Sequence, residues 1–153
     1  SILPKYRGCH TNYYQILNGE KKTGVTLHKI DKGIDTGNII SNVQFGISIN
    51  TTAYENYLKL LKKSFFLFKI NIIKILKDKY SVKKQNLDKG SYFSRKSVDY
   101  KKIINFNKIK HNIITHNKIR ALIFPPFQLP IYNGKKINKS IYNNKKIKLL
   151  YLK

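Results

Sequence analysis

The chain has 153 residues, enough for one domain with its own core, and 31 Lys and Arg face seven Asp and Glu, a formal charge of +24. That balance points to nucleic acid, an anionic membrane surface or a phosphorylated substrate, although A/T-rich codons for the abundant Lys, Asn and Ile account for it as well. One cysteine, Cys9, excludes an intramolecular disulfide; no zinc pattern is present; and the most apolar run, Ser64 to Leu76, is broken by Lys69 and falls short of the ~20 residues of a membrane span.

No signal segment opens the chain, and with no Met anywhere its first residues read as mid-domain sequence, so an internal piece of a longer protein is expected. Residues 1–12 read as a loop punctuated by Pro4 and Gly8 and charged by Lys5 and Arg7. Tyr13 to Leu17 is a short helix stopped by Asn18-Gly19. Gly24 to Ile30 alternates as a strand, Asp31 to Gly37 has the composition of a loop, and Asn38 to Phe45 is the next strand. Thr51 or Thr52 caps a long helix, with Glu55 completing a capping box after Thr52. Its apolar residues Tyr57, Leu58, Leu61, Phe65, Phe68, Ile72 and Leu76 recur at three- and four-residue steps and predict a core-facing stripe with a lysine-rich solvated face opposite. Residues 78–101 are polar and loop-like, and Ile109 to Phe124 is a second helix, ended by Pro125-Pro126. Gln128 to Tyr132 and Lys135 to Tyr142 flank Asn133-Gly134 as a hairpin, and Ile147 to Leu152 is a last strand.

This order is α/β, with residues 1–124 as the main body and 125–153 as a small β tail. Two or three strands make a poor independent sheet, so further strands are expected before Ser1. Residues 100–153 hold thirteen bases and no acid. With Tyr132, Tyr142 and Tyr151 interleaved, they also suit a non-catalytic nucleic-acid-binding module, although no nucleic-acid motif is present.

Read locally, Asp35 in Gly33-Ile34-Asp35-Thr36-Gly37 is a turn aspartate. His28 reads as a structural strand histidine. His111 and His116 are spaced i, i+5, off one helix face, which argues against a metal site. Phe124 and Phe127 read as core residues or as an aromatic wall for a nucleobase.

Three blocks together carry a resemblance: SILPKYRG, ILNGEKKTGVTLHKIDKGIDTGNII and IRALIFPPFQLPIYNGKKI. In this order and spacing they resemble the folate-dependent formyltransferases, which include methionyl-tRNA formyltransferase and the N-formyltransferases of nucleotide-linked amino sugars. The resemblance implies the C-terminal part of a Rossmann-like catalytic domain followed by a β-hairpin tail. It implies formyl-tetrahydrofolate as donor and a catalytic role for Asp35. The family's catalytic Asn and His stand just upstream of the segment matching Ser1 to Pro4, so both would precede residue 1 and the isolated chain is expected to be inactive. Ile30, Asp31, Lys32, Gly33 and Ile34 would line the folate pocket, mainly through backbone groups. Lys5 and Arg7, suited to phosphate, and His10 with Asn12 are acceptor-side candidates. Arg120 matches a recurrent family position and reads as structural.

Only about sixteen residues follow the NGKKI block, too few for the additional domain of the tRNA enzymes. The expected acceptor is therefore a nucleotide-linked amino sugar for surface polysaccharide, with transfer RNA as the alternative. No metal and no membrane insertion are expected, the expected compartment is the cytoplasm, and exposed edges in the β tail suit a homodimer.

Overall fold

The computed structural model describes residues 1–152. In chain order the elements are β1 (Arg7–Gly8), α1 (Thr11–Leu17), β2 (Lys22–His28), β3 (Ile39–Gly46), α2 (Ala53–Leu76), β4 (Tyr92–Phe93), α3 (Tyr100–Ile103), β5 (Asn105–Phe106), α4 (Ile113–Leu122), β6 (Ile131–Tyr132), β7 (Lys135–Asn143) and β8 (Lys146–Tyr151). The α/β class read from the sequence is the class observed. The chain forms two compact units. The first gathers Ser1–Thr11, Lys22–Gly46 and Leu58–Arg95; the second gathers Asn12–Lys21, Ile47–Tyr57 and the residues from Lys96 onward.

In the first unit β2 and β3 pair antiparallel with Val25 opposite Val43, and an irregularity falls between Leu27 and His28. β1 pairs parallel with β4, Arg7 opposite Tyr92. Gly8 makes that pairing possible: its φ is +86°, and a Cβ there would collide with the Phe93 carbonyl and the Tyr92 ring. Leu3, Tyr6, Val25 and Leu67 are buried.

Helix α2 starts as the sequence predicts. The Thr52 hydroxyl accepts from the Glu55 amide at 3.1 Å, and the Glu55 carboxylate accepts from the Thr52 amide at 2.8 Å. Lys139 reaches the other Glu55 oxygen at 2.8 Å. Burial alone pushes the Glu55 pKa up, but this lysine and the Thr52 bonds carry it below the ordinary value. The stripe further along the helix is another matter. Tyr57, Leu58, Leu61, Phe65, Phe68 and Leu76 are all exposed, up to 74% at Leu76, whereas Leu67, outside the predicted stripe, is buried. Apolar side chains recur around much of this helix, and among the described residues no element is laid along the predicted face.

The second unit holds two apolar clusters. Ile16, Ile47, Ala53 and Ala121 form one, with Tyr13, Leu17 and Phe124 against it. Ile119, Ile123 and Ile137 form the other, with Phe106, Ile109 and Leu149 among the residues against it. α4 is shorter than the periodicity predicts because Asn112 caps it, accepting from the Thr115 amide at 2.9 Å, so Ile109 packs from a loop. The polar 78–101 stretch, read as loop, contains β4 and the start of α3. The terminal sheet runs β5-β6-β7-β8 and so takes one strand from before α4.

Two buried groups on α4 tie this unit together. The Arg120 guanidinium is 2% exposed and donates to the Asn117 side chain and to the carbonyls of Thr51, Ser48 and Ile16; burial lowers its pKa to about 10. His116 is fully buried, with Nε2 on the Ile49 carbonyl and Nδ1 on the Ser140 hydroxyl, both at 2.8 Å. A carbonyl only accepts, so Nε2 carries the proton and Nδ1 accepts from Ser140.

Two measurements check this account. Thr52→Ala should lower stability by about 1 kcal/mol in urea unfolding. Burial holds the His116 pKa below the ordinary histidine value, with the Ile49 carbonyl opposing and Arg120 adding to the shift. The unfolded chain therefore binds this proton first. The stability His116 confers is complete above its unfolded pKa of about 6.5 and is lost progressively as pH falls from there through its lower folded pKa. The wild-type urea midpoint should drop more between about pH 7.5 and 5.5 than that of His116→Gln.

Candidate active site

The candidate site lies in the first unit, on the loop from the end of β2 at His28 to the start of β3 at Ile39. Asp35 sits there with φ +55°, a left-handed conformation that aspartate tolerates better than most residues. Its Oδ2 accepts from the Gly8 amide at 2.8 Å. Its Oδ1 lies 3.8 Å from His28 Nε2, and the side chain is 38% exposed. One oxygen is therefore pinned to backbone, and the other faces an imidazole and open space.

The turn is clamped from behind. Nε2 of Gln85, a 7% exposed residue, donates to the Asp35 carbonyl at 3.0 Å and the Gly37 carbonyl at 2.6 Å. A two-bond bridge between Lys83 and Ile39 sets that glutamine in place. Gly37 matters for space rather than for backbone rotation: a Cβ there would collide with the Lys29 carbonyl. The positive φ falls on the aspartate itself.

His28 Nδ1 bonds the Lys29 carbonyl at 2.8 Å and so carries a proton. Its Nε2 offers an N–H toward Asp35 only as the imidazolium. At 3.8 Å the two side chains form no hydrogen bond.

The neighbouring loop residues fall into two groups. Asp31 organises the loop: its Oδ1 accepts from the Gly33 amide at 3.1 Å and from the Thr36 hydroxyl. The Thr36 bond is the chief reason its pKa lies below the ordinary value; burial opposes the shift, and the Gly33 amide and His28 assist it. The backbone groups of Ile30, Lys32 and Ile34 make no hydrogen bond among the described residues, and the Ile30 and Ile34 side chains are 95% and 55% exposed. An apolar rim with unpaired backbone donors and acceptors fits a flat heterocycle with polar edges, such as a pterin.

Lys5, Arg7 and His10 share the Lys5 to His10 loop, whose Gly8 amide holds Asp35. Tyr6 and His10 both have positive φ, 59° and 54°. Such strain concentrates at functional sites. Lys5 is exposed; Arg7 is half-buried with its Nε unpaired; His10 Nε2 donates to the Arg95 carbonyl at 2.9 Å. Asn12 belongs to the second unit, where its amide donates to the Ala53 carbonyl and accepts from Asn56 at 2.6 Å. Among the described residues no cluster of His, Cys, Asp and Glu could hold a metal, and no helix is long and apolar enough to cross a membrane.

Sequence reasoning missed two parts of this site. Gln85 stands fifty positions from Asp35 in a lysine-rich stretch, and nothing local marks it. The Gly8 amide was visible only as a loop glycine.

The α/β scaffold of this chain is shared with known formyltransferases. Residues 1–67 match the family model described as formyl transferase. The bifunctional polymyxin resistance protein ArnA of Wigglesworthia glossinidia brevipalpis is 39% identical over 127 residues, 82% of this chain and 19% of that protein. Methionyl-tRNA formyltransferase of Clostridium tetani is 34% identical over 88% of this chain and 42% of its own length. The N-formyltransferase from Helicobacter canadensis, solved with folinic acid and dTDP-3-aminofucose, superposes with a TM-score of 0.84 at 48% identity, covering 93% of this chain and 52% of that one. Residues 1–67 thus carry the formyl transferase match, and the chain spans less than half the length of these two curated relatives.

The clamp predicts a local signature. Asp35→Gly keeps the left-handed turn but removes the acceptor, so the Gly8 amide should exchange with deuterium at least about tenfold faster. The Arg7 and Cys9 amides, bonded to the carbonyls of Ser91 and Phe93, should be unchanged.

Proposed function

We propose that the chain is part of an enzyme that moves a formyl group from formyl-tetrahydrofolate to the amine of a nucleotide-linked amino sugar. The product serves surface polysaccharide synthesis, and the reaction belongs in the cytoplasm. The observation that carries this reading is the Asp35 carboxylate, fixed at one oxygen and open at the other beside a loop with unpaired backbone groups. The likeness to a formyltransferase solved with folinic acid and an amino-sugar nucleotide supports both donor and acceptor class.

The chemistry needs such a group. The amine attacks the formyl carbon, a new C–N bond forms, and the bond to the folate nitrogen breaks. The attacking nitrogen must lose a proton and the departing nitrogen must gain one. A carboxylate held in place can receive the first proton directly or through one water, help worth about a hundred- to ten-thousand-fold in rate. Gly8 fixes Oδ2, so the reacting oxygen is Oδ1, which lies 3.8 Å from His28 Nε2. The oxyanion donors of the family, an Asn and a His, match no position in residues 1–153. Ile30 to Ile34 would hold the donor's heterocycle through backbone contacts and the two isoleucines.

Transfer RNA is the runner-up acceptor, on the strength of the methionyl-tRNA formyltransferase match. In the full-length gene product, Asp35→Asn should reduce formyl transfer to an amino-sugar nucleotide at least about a hundredfold while folate binding persists. Undiminished turnover would refute the role given to Asp35; formylation of charged initiator tRNA alone would move the acceptor to the runner-up.

A further inference from the structure

A cavity of about 670 Å³ lies wholly within the second unit, lined by the turn after α1, the segment before α2 and one face of α4. Its walls are aliphatic, from Leu17, Ile47, Ile49, Ile113 and Ile114. Three of these meet solvent: Ile49, Ile113 and Ile114 are 47%, 38% and 64% exposed. Single exposed apolar residues are ordinary, but three on one cavity leave an apolar lining open to a ligand.

The polar end of the cavity is built from donors. Ile113, Asn117 and Arg120 follow at steps of four and three along α4 and so share a face. Asn117 is 8% exposed. Its Oδ1 accepts from Arg120 Nε at 2.9 Å, which orients the amide, while its Nδ2 makes no hydrogen bond among the described residues. Gly19, also in the lining, leaves room for that nitrogen: a Cβ there would come within 2.8 Å of it. Arg120 gives four of its five N–H hydrogens to Asn117 and to backbone carbonyls, and one Nη2 hydrogen has no acceptor among the described residues. The amides of Ile113 and Ile114, in the first turn of α4, are likewise without acceptors among the described residues. One acid, Glu20, lines the cavity beside Lys21, so with Arg120 two bases stand against it.

We propose that this cavity binds a medium-chain aliphatic carboxylate, with its head on Asn117 Nδ2 and Arg120 and its tail along the leucine and isoleucine walls. Unused donors at a buried guanidinium select an anionic head, because a carboxylate there makes charge-assisted bonds that the neutral carbonyls do not. Walls of aliphatic side chains with no aromatic ring suit a hydrocarbon chain better than a flat heterocycle. The volume falls within the range of small-molecule sites, and an apolar lining with a few placed polar groups is their usual make-up. No residue assigned to formyl transfer takes part.

The test is calorimetric titration of the full-length gene product with decanoate, octanoate, hexanoate and decanol, each below its micelle-forming concentration. One decanoate should bind per chain with a dissociation constant below about 0.1 mM. Affinity should fall about tenfold for each two methylenes removed. Decanol keeps the tail without the charge and should bind at least about tenfold more weakly than decanoate. Asn117→Asp keeps the acceptor for Arg120 Nε and replaces the free donor with a carboxylate oxygen. It should weaken decanoate at least about tenfold, leave decanol within about twofold and keep the wild-type thermal midpoint. Ile114→Asn, at a largely exposed position, should weaken both ligands about fivefold. Absence of one-to-one binding overturns the proposal, as does decanol binding as tightly as decanoate. Several decanoates bound per chain, with Asn117→Asp indistinguishable from wild type, would show attraction to the basic surface alone and overturn it too. If Asn117→Asp shifts the midpoint, Ile114→Asn decides: unchanged decanoate binding there overturns the site.

Discussion

The hydrogen bond from the Gly8 amide to the Asp35 carboxylate joins two loops 27 positions apart in the chain and decides what Asp35 can do. A carboxylate on an unconstrained glycine-rich loop would sample many directions and be fully hydrated. Here one oxygen is tied to a backbone donor and the peptide behind it is clamped by Gln85. In the role proposed for Asp35, the second oxygen alone is left for an incoming proton. Preorganisation of this kind is what a positioned acid or base contributes to a proton transfer. It also accounts for the unusual backbone nearby, with positive φ at Tyr6, Gly8, His10 and Asp35. At the three residues other than glycine this conformation is locally unfavourable, and together the four turns bring the Gly8 amide to the carboxylate.

Much of the fold was legible because local signals and tertiary structure agree. The Thr52–Glu55 capping box, the two strands around the Asp35 loop and the Asn133-Gly134 hairpin all rest on short-range chemistry. The α2 stripe was misread for an equally physical reason. Periodicity reports which residues favour burial, and burial also needs an opposing surface. At the site, Asp35 and its glycines were visible as a pattern. Gln85 and the Gly8 amide were not, since they act through tertiary contacts that no short motif encodes. The α4 start was misplaced because apolar spacing continues upstream of Asn112, where the cap ends it.

Burial without charge compensation is the theme of the second unit. Among the described residues no carboxylate is paired with Arg120, which is satisfied by three carbonyls and one amide. Its pKa falls to about 10 and still leaves it charged at neutral pH. Five hydrogens in a fixed fork suit this task better than a lysine ammonium, because the acceptors lie in different directions. In a chain with 31 bases and seven acids, neutral oxygens are the partners most available to a buried cation.

The most direct test of the role given to Asp35 is a crystal structure of the full-length gene product with a non-reactive formyl-tetrahydrofolate analogue and an amino-sugar nucleotide. The account predicts Asp35 Oδ1 within about 2.6–3.2 Å of the acceptor nitrogen, or linked to it through one water, with Oδ2 still on the Gly8 amide. Donor and acceptor bound away from this loop, or both Asp35 oxygens turned to bulk solvent in the ternary complex, would contradict it.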